Sequence, residues 1–286
     1  MPTLPPERAP RPVSPAHENR RVAESFGADA ARYDRARPRY PQALVDRIAT
    51  GGRALDVLDV GCGTGIVARQ FAAAGCRVLG VDVDARMAEV ARGHGLDVEV
   101  APFETWDPAG RTFDAVVSGQ TWHWVDPVAG AAKAARALRP GGRLALFWNA
   151  GLPEPAMAGA FADVCRRVVP DSLAVRQWTV PAVDGYAALC AKAADGIGEA
   201  GGFTAPARWR FDWEHSYTRE EWLDQLPTQG AFTRLPPAEL AEVLAGIGAA
   251  VDAAGGSFTM RYATLAVVAE RTGASATPTG PDPGRP

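Results

Sequence analysis

The feature that most constrains this chain is an apolar run that ends in a glycine-rich loop, Leu58-Asp59-Val60-Gly61-Cys62-Gly63-Thr64-Gly65. The run predicts a buried strand, and the helical pattern from Ile66 to Ala74 predicts a helix directly after the loop. The three glycines permit positive φ angles and remove the Cβ atoms that would keep a ligand away from the backbone. The loop also opens a helix N-terminus, whose free N–H groups favour a carboxylate or a phosphate. The sequence therefore predicts a corner that binds a cofactor.

Short apolar runs alternate with helical patterns from Ala54 to Trp148. This alternation is typical of a parallel sheet that helices cover on both faces. The predicted strands are Leu55–Val60, Arg77–Val83, Asp97–Ala101, Phe113–Ser118 and Arg143–Trp148, followed later by an alternating strand at Trp209–Trp213 and a last one at Phe258–Ala269. Pro140-Gly141-Gly142 is expected to form a turn before the fifth strand. We therefore predict an α/β fold.

The alternation of short apolar runs with helical patterns stops after Asn149 and resumes near residue 203. The stretch between is mostly helical, so we predict a helical insertion at 151–202 that covers the substrate site. The rest of the domain, predicted at 18–271, then consists of a core at 40–150 and 203–271. Residues 1–17 and 272–286 are rich in Pro, Gly, Ser and Thr and are predicted to be disordered tails.

Composition excludes several functional classes. The formal net charge is only -3 and the basic residues are scattered, which argues against a nucleic-acid partner. No 18-residue apolar run and no signal peptide are present, so we expect a cytoplasmic protein without a membrane partner. The four cysteines lack metal-ligand spacing, so no metal site is predicted. A small molecule is the expected partner, and the sequence does not indicate an oligomeric state.

The spacing of the loop separates three classes of cofactor. A phosphate-binding P-loop is excluded because no Gly-Lys-Ser/Thr follows. A dinucleotide fingerprint needs a third glycine five positions after the first, where this chain has Ile66. Asp59 is expected to orient the loop backbone or to hold an ammonium group, and it would repel a pyrophosphate. Asp82, at the end of the second strand, is expected to accept hydrogen bonds from both hydroxyls of a ribose.

Four segments together resemble the class I S-adenosylmethionine-dependent methyltransferases, over roughly residues 20–150. They are the glycine loop, Val78-Leu79-Gly80-Val81-Asp82, Phe113-Asp114-Ala115-Val116-Val117 and Leu138-Arg139-Pro140-Gly141-Gly142. The resemblance implies a Rossmann-like sheet of seven strands in the order 3-2-1-4-5-7-6, with an antiparallel seventh strand. It also implies S-adenosylmethionine as cofactor and S-adenosylhomocysteine as product. The expected cofactor contacts are Asp59, Gly61, Cys62, Gly63, Gly65, Asp82, Val83, Met87, Phe103, Glu104, Gln120 and Trp122, with Phe103 and Glu104 beside adenine.

The segment Gln120-Thr121-Trp122-His123-Trp124-Val125-Asp126 follows the fourth strand. It resembles the Trp-His-Trp loop of a subgroup of small-molecule methyltransferases that includes relatives of trans-aconitate methyltransferase. His123 is a catalytic candidate, either as a base or as a contact of cofactor or substrate, and a plain hydrogen bond to a backbone carbonyl is the alternative.

The segments 26–34 and 37–41 resemble the part of these relatives that folds over the cofactor. Tyr33 is a second catalytic candidate there, and Arg37 or Arg39 is expected to meet the methionine carboxylate.

The leading hypothesis is methyl transfer to a small molecule by in-line displacement, achieved mainly through positioning and the exclusion of water. One alternative is a non-catalytic module that binds S-adenosylmethionine or S-adenosylhomocysteine and regulates a partner. Another is a nicotinamide-dependent oxidoreductase. The sequence does not identify the acceptor or the atom that is methylated.

Overall fold

The structure, a computed structural model, describes residues 24–50, 54–179 and 182–273. The predicted tail at 1–17 lies outside these residues, and of the predicted tail at 272–286 only Thr272 and Gly273 fall within them. The described residues form a sheet of seven strands flanked by helices on both faces. Among them, no helix has the length and apolar character needed to span a bilayer.

The strands follow the sequence prediction closely. They are β1 (Asp56–Val60), β2 (Arg77–Asp82), β3 (Asp97–Val100), β4 (Phe113–Gly119), β5 (Leu138–Pro153), β6 (Ala207–Thr218) and β7 (Ser257–Glu270). Their order in the sheet is 3-2-1-4-5-7-6. Strands β1 to β5 pair in parallel, whereas β7 is antiparallel to both β5 and β6. The predicted order and the antiparallel seventh strand are therefore confirmed.

The helices connect these strands and supply a cover above one end of the sheet. They are α1 (Ala30–Ala36), α2 (Gln42–Ile48), α3 (Ile66–Ala73), α4 (Ala85–Gly93), α5 (Pro127–Ala137), α6 (Pro155–Val168), α7 (Leu173–Thr179), α8 (Ala182–Ala200), α9 (Arg219–Gln225) and α10 (Pro237–Ala253). Short 3-10 helices occur at Glu24–Asp29, Trp122–Trp124 and Leu226–Thr228. Helices α6, α7 and α8 lie within the predicted insertion.

Local sequence explains where several of these helices begin. The Asp84 side chain accepts a hydrogen bond from the backbone N–H of Arg86 at the start of α4. Asp126 accepts from two backbone N–H groups at the start of α5, and Pro127 occupies the first helical position, where no N–H is needed. Because β2 and β4 both pair in parallel with β1, the ends that precede these caps lie at the same edge of the sheet.

Strand β5 is longer than predicted. Phe113 of β4 pairs with Leu138 and Ala115 pairs with Arg143, so between these pairs one residue of β4 lies opposite four residues of β5. The expected turn at Pro140-Gly141-Gly142 is therefore a bulge inside the strand. Gly141 has a φ of 75°, which lets the extra residues leave the sheet and return to it. A proline-glycine pair predicts a bend, and only the neighbouring strand decides whether pairing resumes.

The sheet separates two apolar layers. Leu58 and Val116 face the layer that contains helices α5 and α8, whereas Val57 and Val117 face the layer with α2 and α3. Because adjacent residues of a strand point to opposite faces, a strand buried on both faces reads as a continuous apolar run. A third cluster, around Phe161, fills the space between α6, α9 and α10.

Candidate functional site

A large cavity lies above the carboxyl ends of β1, β2 and β4 and has a volume of about 910 Å³. We call the part lined by the glycine loop, Asp82, Met87, Phe103 and Glu104 the cofactor half. The part lined by the loop after β4, the N-terminal segment, α7, α8, α9 and β7 is the acceptor half. Ligand sites of open α/β sheets lie at this edge, and the cavity falls in the size range of small-molecule sites.

The glycine loop is held to the end of β2 by backbone and side-chain hydrogen bonds. Gly61 and Gly63 have φ angles of 66° and 55°. The backbone N–H of Gly61 donates to the carbonyl of Val81 at 2.7 Å. The N–H of Gly63 donates to Oδ2 of Asp82 at 2.7 Å, and that of Asp84 donates to Oδ1 at 2.8 Å. Burial raises the pKa of Asp82, and these two N–H groups oppose the rise. Asp82 therefore organises the loop as well as facing the cavity.

Nine of the twelve predicted cofactor contacts line the cavity. They are Gly61, Cys62, Gly63, Asp82, Val83, Met87, Phe103, Glu104 and Gln120. Phe103 also packs in the core, with ring centroids 6.1 Å from Trp122. Oε1 of Glu104 accepts a hydrogen bond from the backbone N–H of Asp126 at 3.1 Å, which ties it to the loop after β4.

The other three predicted contacts do not line the cavity. Asp59 is fully buried beneath the loop. Burial and the nearby Asp82 carboxylate raise the pKa of Asp59 to about 8, and a backbone hydrogen bond from Ala68 opposes the rise. Asp59 is not among the lining residues, and its predicted roles, orienting the loop backbone or holding an ammonium group, stay predictions.

Gly65 and Trp122 also lie outside the lining of the cavity. A Cβ at position 65 would lie 2.3 Å from Cδ1 of Leu96, so this glycine serves the packing of α3 against the segment after α4. Trp122 is 2% exposed and belongs to the core beside Phe103 and Val125. Its neighbour Trp124 lines the cavity instead. The 3-10 turn of this loop decides which indole points inward, and a sequence pattern does not reveal that rotation.

His123 lines the acceptor half and is anchored by a buried tryptophan. Nε1 of Trp148 donates to Nδ1 of His123 at 3.3 Å. Burial lowers the pKa of His123 to about 4, so the imidazole is neutral at physiological pH. The hydrogen-bond partner of His123 is thus the indole of Trp148 in β5. The alternative expected from the sequence was a backbone carbonyl. Tertiary structure alone brings Trp148 to this position.

Gln120 occupies an unfavourable backbone conformation at the boundary of the two halves. Its φ of 59° lies in the left-handed region, which a residue with a Cβ rarely adopts. Oε1 accepts from the backbone N–H of Asn149 at 2.8 Å, and Nε2 donates to the Tyr186 hydroxyl at 2.8 Å. Strain of this kind concentrates at functional sites. Here it links the loop after β4 to the insertion helix α8.

The N-terminal segment lies over the cavity, as predicted. Tyr33 and Arg37 line it, whereas Arg39 is exposed and is not among the lining residues. Helix α1 is held in place by Asp34, whose carboxylate lies 2.5 Å from the Arg69 guanidinium and 2.9 Å from Nε2 of His94. The position of Tyr33 therefore depends on an ion-pair cluster at the rim of the sheet.

The C-terminal part of the chain also contributes to the cavity. Trp222 of α9 is 1% exposed, yet it lines the cavity together with Tyr262 of β7. From the insertion, Trp178 and Tyr186 line the cavity, whereas Phe161 is fully buried in the third apolar cluster. No local signal marks Tyr262, because it reaches the cavity through the antiparallel pairing of β7 with β5.

Comparisons with known proteins agree with this geometry. A family profile described as a methyltransferase domain matches residues 58–146. An uncharacterized methyltransferase of Mycobacterium tuberculosis (strain H37Rv) is 39% identical over 133 residues, which is 46% of this chain and 54% of the relative. A malonyl-[acyl-carrier protein] O-methyltransferase of Hahella chejuensis is 36% identical over 139 residues, covering 45% of this chain and 50% of the relative. The chain thus spans about half the length of these curated relatives.

Solved structures share the fold. A protein described as a type II methyltransferase from Anaeromyxobacter dehalogenans has a TM-score of 0.53 and 23% identity, covering 81% of this chain and 97% of that chain. Phosphoethanolamine N-methyltransferase 2 of Haemonchus contortus, solved in complex with S-adenosyl-L-methionine, has a TM-score of 0.50 and 16% identity, covering 92% and 61%. At these identities the likeness concerns the fold.

Proposed function

Because the chain contains a class I methyltransferase domain, we propose that it transfers the methyl group of S-adenosylmethionine to a small-molecule acceptor. One observation supports this most strongly: the cofactor half and the acceptor half form one continuous cavity. A module that only binds the cofactor has no need of a second half lined by aromatic side chains from four other elements. The geometry therefore favours an enzyme over a regulatory binding module.

The residues of the cofactor half fit the proposed cofactor. Gly61 and Gly63 present a backbone without side chains to the cavity. Asp82 has its carboxyl at the same surface, and each of its oxygens retains a lone pair beyond the backbone hydrogen bond it accepts. We assign the loop to the methionine part, Asp82 to the ribose hydroxyls, and Phe103 with Glu104 to adenine. When bound, S-adenosylmethionine supplies a methyl group activated by a sulfonium.

The residues of this chain would act mainly by positioning. The tryptophans and tyrosines of the acceptor half exclude water, and Gln120 ties the loop after β4 to α8 at the boundary of the halves. Alignment of two reactants is worth roughly 7–11 kcal/mol of the barrier in well-oriented systems. Tyr33 closes the cavity from α1, and His123 contacts a ligand in its neutral form.

Isothermal titration and a methyl-transfer assay test the proposal together. We expect S-adenosylhomocysteine to bind with micromolar affinity and NAD⁺ to show no heat of binding. Methyl-labelled S-adenosylmethionine should then label a small molecule from a metabolite extract. Binding without any labelled product would favour the regulatory module, and NAD⁺ binding in place of S-adenosylhomocysteine would favour the oxidoreductase.

A further inference from the structure

The hydrogen-bond partner of His123 determines which ring atom carries its hydrogen. The indole N–H of Trp148 can only donate, and it donates to Nδ1 at 3.3 Å. Nδ1 therefore supplies a lone pair, and the hydrogen of the neutral ring resides on Nε2. Toward a ligand, His123 then presents an N–H donor. It has no free lone pair there with which to accept a proton.

A hydrogen bond from Gln120 likewise determines what the Tyr186 hydroxyl can offer a ligand. The backbone N–H of Asn149 can only donate, so the atom of Gln120 that receives it at 2.8 Å is the amide oxygen. The amide nitrogen of Gln120 must then face Tyr186, and it donates to the hydroxyl at 2.8 Å. The hydroxyl oxygen accepts this bond with one lone pair, so the hydroxyl hydrogen stays available to donate to a ligand. Tyr186 is thus a second donor in the acceptor half.

Arg37 adds a positive charge to these donors. Its guanidinium lies 5.2 Å from the centroid of the Tyr33 ring. Burial acts to lower the pKa of Arg37, and the nearby Tyr33, Tyr186, Tyr40 and Tyr262 together outweigh burial and raise it. The acids among the described lining residues, Asp82 and Glu104, both belong to the cofactor half. The acceptor half therefore combines a cation with donors and lacks a carboxylate among its described residues.

Donors and a cation are complementary to a group that only accepts hydrogen bonds and is negatively charged. An ionised carboxylate is the common group of that kind. We propose, building on the methyltransferase function above, that the acceptor is a carboxylic acid bound as its carboxylate by Arg37, His123 and Tyr186, and that the product is its methyl ester. Trp124, Trp178 and Trp222 line the same half, so the acid has an apolar body.

The chemistry of this step balances without a base. A carboxylate oxygen forms a C–O bond to the methyl carbon as the C–S bond breaks, and the bonding pair remains on sulfur, which becomes a neutral thioether. No proton moves. An alcohol or an ammonium acceptor would have to lose a proton to a base. His123 presents no lone pair to a ligand, and burial raises the pKa of both Tyr186 and Tyr262, so their hydroxyls stay protonated. A carboxylate is already ionised at neutral pH.

The first test identifies the product. The full-length protein is incubated with methyl-labelled S-adenosylmethionine and matched probes: phenylacetate, cinnamate and octanoate against 2-phenylethanol, phenol and octylamine. We expect label on the acids that alkali releases as volatile methanol, as for a methyl ester. Alkali-stable label on the alcohol, phenol or amine alone would overturn the carboxylate proposal and leave the methyltransferase function intact. Absence of label on every probe, with S-adenosylhomocysteine still bound, would overturn both.

The second test distinguishes a donor from a base at position 123. In His123→Gln the amide oxygen can accept from Trp148 while the amide nitrogen donates into the cavity, whereas His123→Ala loses both bonds. We expect roughly 10- to 100-fold loss of kcat/KM in His123→Ala and most of it restored in His123→Gln. Equal loss in both variants would show that His123 acts as a base. A pH profile of kcat/KM that rises tenfold per pH unit above pH 6 would overturn the proposal in the same way.

The third test concerns Tyr186 and Arg37. Tyr186→Phe should raise the KM for the acid roughly 10-fold and leave S-adenosylhomocysteine affinity unchanged. Arg37→Gln should likewise raise the KM for the acid and spare cofactor affinity. If Arg37→Gln weakens S-adenosylhomocysteine and leaves that KM unchanged, Arg37 holds the cofactor carboxylate and the proposal is wrong.

Discussion

The role of Gly65 in packing α3 against the segment after α4 can be tested quantitatively. Gly65 and Gly75 have the same φ of 84°. A Cβ at Gly75 would meet no described heavy atom within 4 Å, whereas a Cβ at Gly65 would lie 2.3 Å from Cδ1 of Leu96 and 3.3 Å from Cβ of Ala91. Substitution by alanine therefore imposes the same backbone strain at both positions and a steric clash only at Gly65.

The expected magnitudes follow from these contacts. The left-handed conformation costs an alanine about 1–2 kcal/mol at either position. Insertion of a methyl group into packed surroundings adds about 1–3 kcal/mol at Gly65. We thus expect the free energy of unfolding to fall by about 1–2 kcal/mol in Gly75→Ala and by about 2–5 kcal/mol in Gly65→Ala.

Urea denaturation of the ligand-free protein measures both changes, provided that the m-value stays constant. A double-mutant cycle with Leu96→Ala isolates the clash, because removal of Cδ1 should recover most of the extra loss at Gly65. Equal losses in Gly65→Ala and Gly75→Ala, or strict additivity in the cycle, would refute the packing role. A loss confined to cofactor affinity would restore Gly65 as a binding residue.

Three further predictions concern the acids around the cavity. Asp82→Asn should weaken S-adenosylhomocysteine at least 10-fold by titration calorimetry, whereas the same change at exposed Asp212 of β6 should not. Asp59 has a pKa of about 8 in the folded protein, above the value of about 3.9 expected when unfolded. The contribution of protonated Asp59 to the free energy of unfolding is therefore complete below pH 4 and is lost as the pH rises toward 8. Asp59→Asn should accordingly gain stability relative to wild type as the pH is raised from 5 to 8. A stability difference that does not change with pH would contradict this. Asp34→Asn should free α1 from Arg69 and His94, so that limited proteolysis of α1 becomes faster and cofactor binding weaker. An unchanged rate of cleavage would show that Asp34 does not hold α1 in place.

Local chemistry explains why the strands and helix starts could be predicted. Strands buried on both faces need continuous apolar runs, and helices that begin at Asp84 or Asp126 need a side-chain acceptor for free N–H groups. The bulge in β5 was missed because Pro140-Gly141-Gly142 encodes only a bend. Whether the strand resumes depends on β4 beside it.

The residues of the candidate site could be predicted from the sequence only in part. Gly61, Gly63 and Asp82 lie within a few residues of a strand end, so their place at the sheet edge follows from the strand itself. Trp122 and Trp124 are two positions apart on a 3-10 turn, and the sequence does not show which of them turns inward. Tyr262 approaches the cavity only through the antiparallel pairing of β7 with β5.

The sequence by itself determined the α/β class, the strands and the loop that forms the cofactor half, because these depend on local periodicity, glycines and a carboxylate at fixed spacing. The strand order followed from the resemblance to class I methyltransferases, and the sheet confirms it. Only the tertiary structure decided the protonation state and hydrogen-bonding direction of the side chains in the acceptor half. Trp148 and His123 are 25 residues apart, and Gln120 and Tyr186 are 66 apart. Burial and a one-directional donor, which arise only when the chain is folded, are the grounds on which we infer that His123 is an N–H donor and not a base.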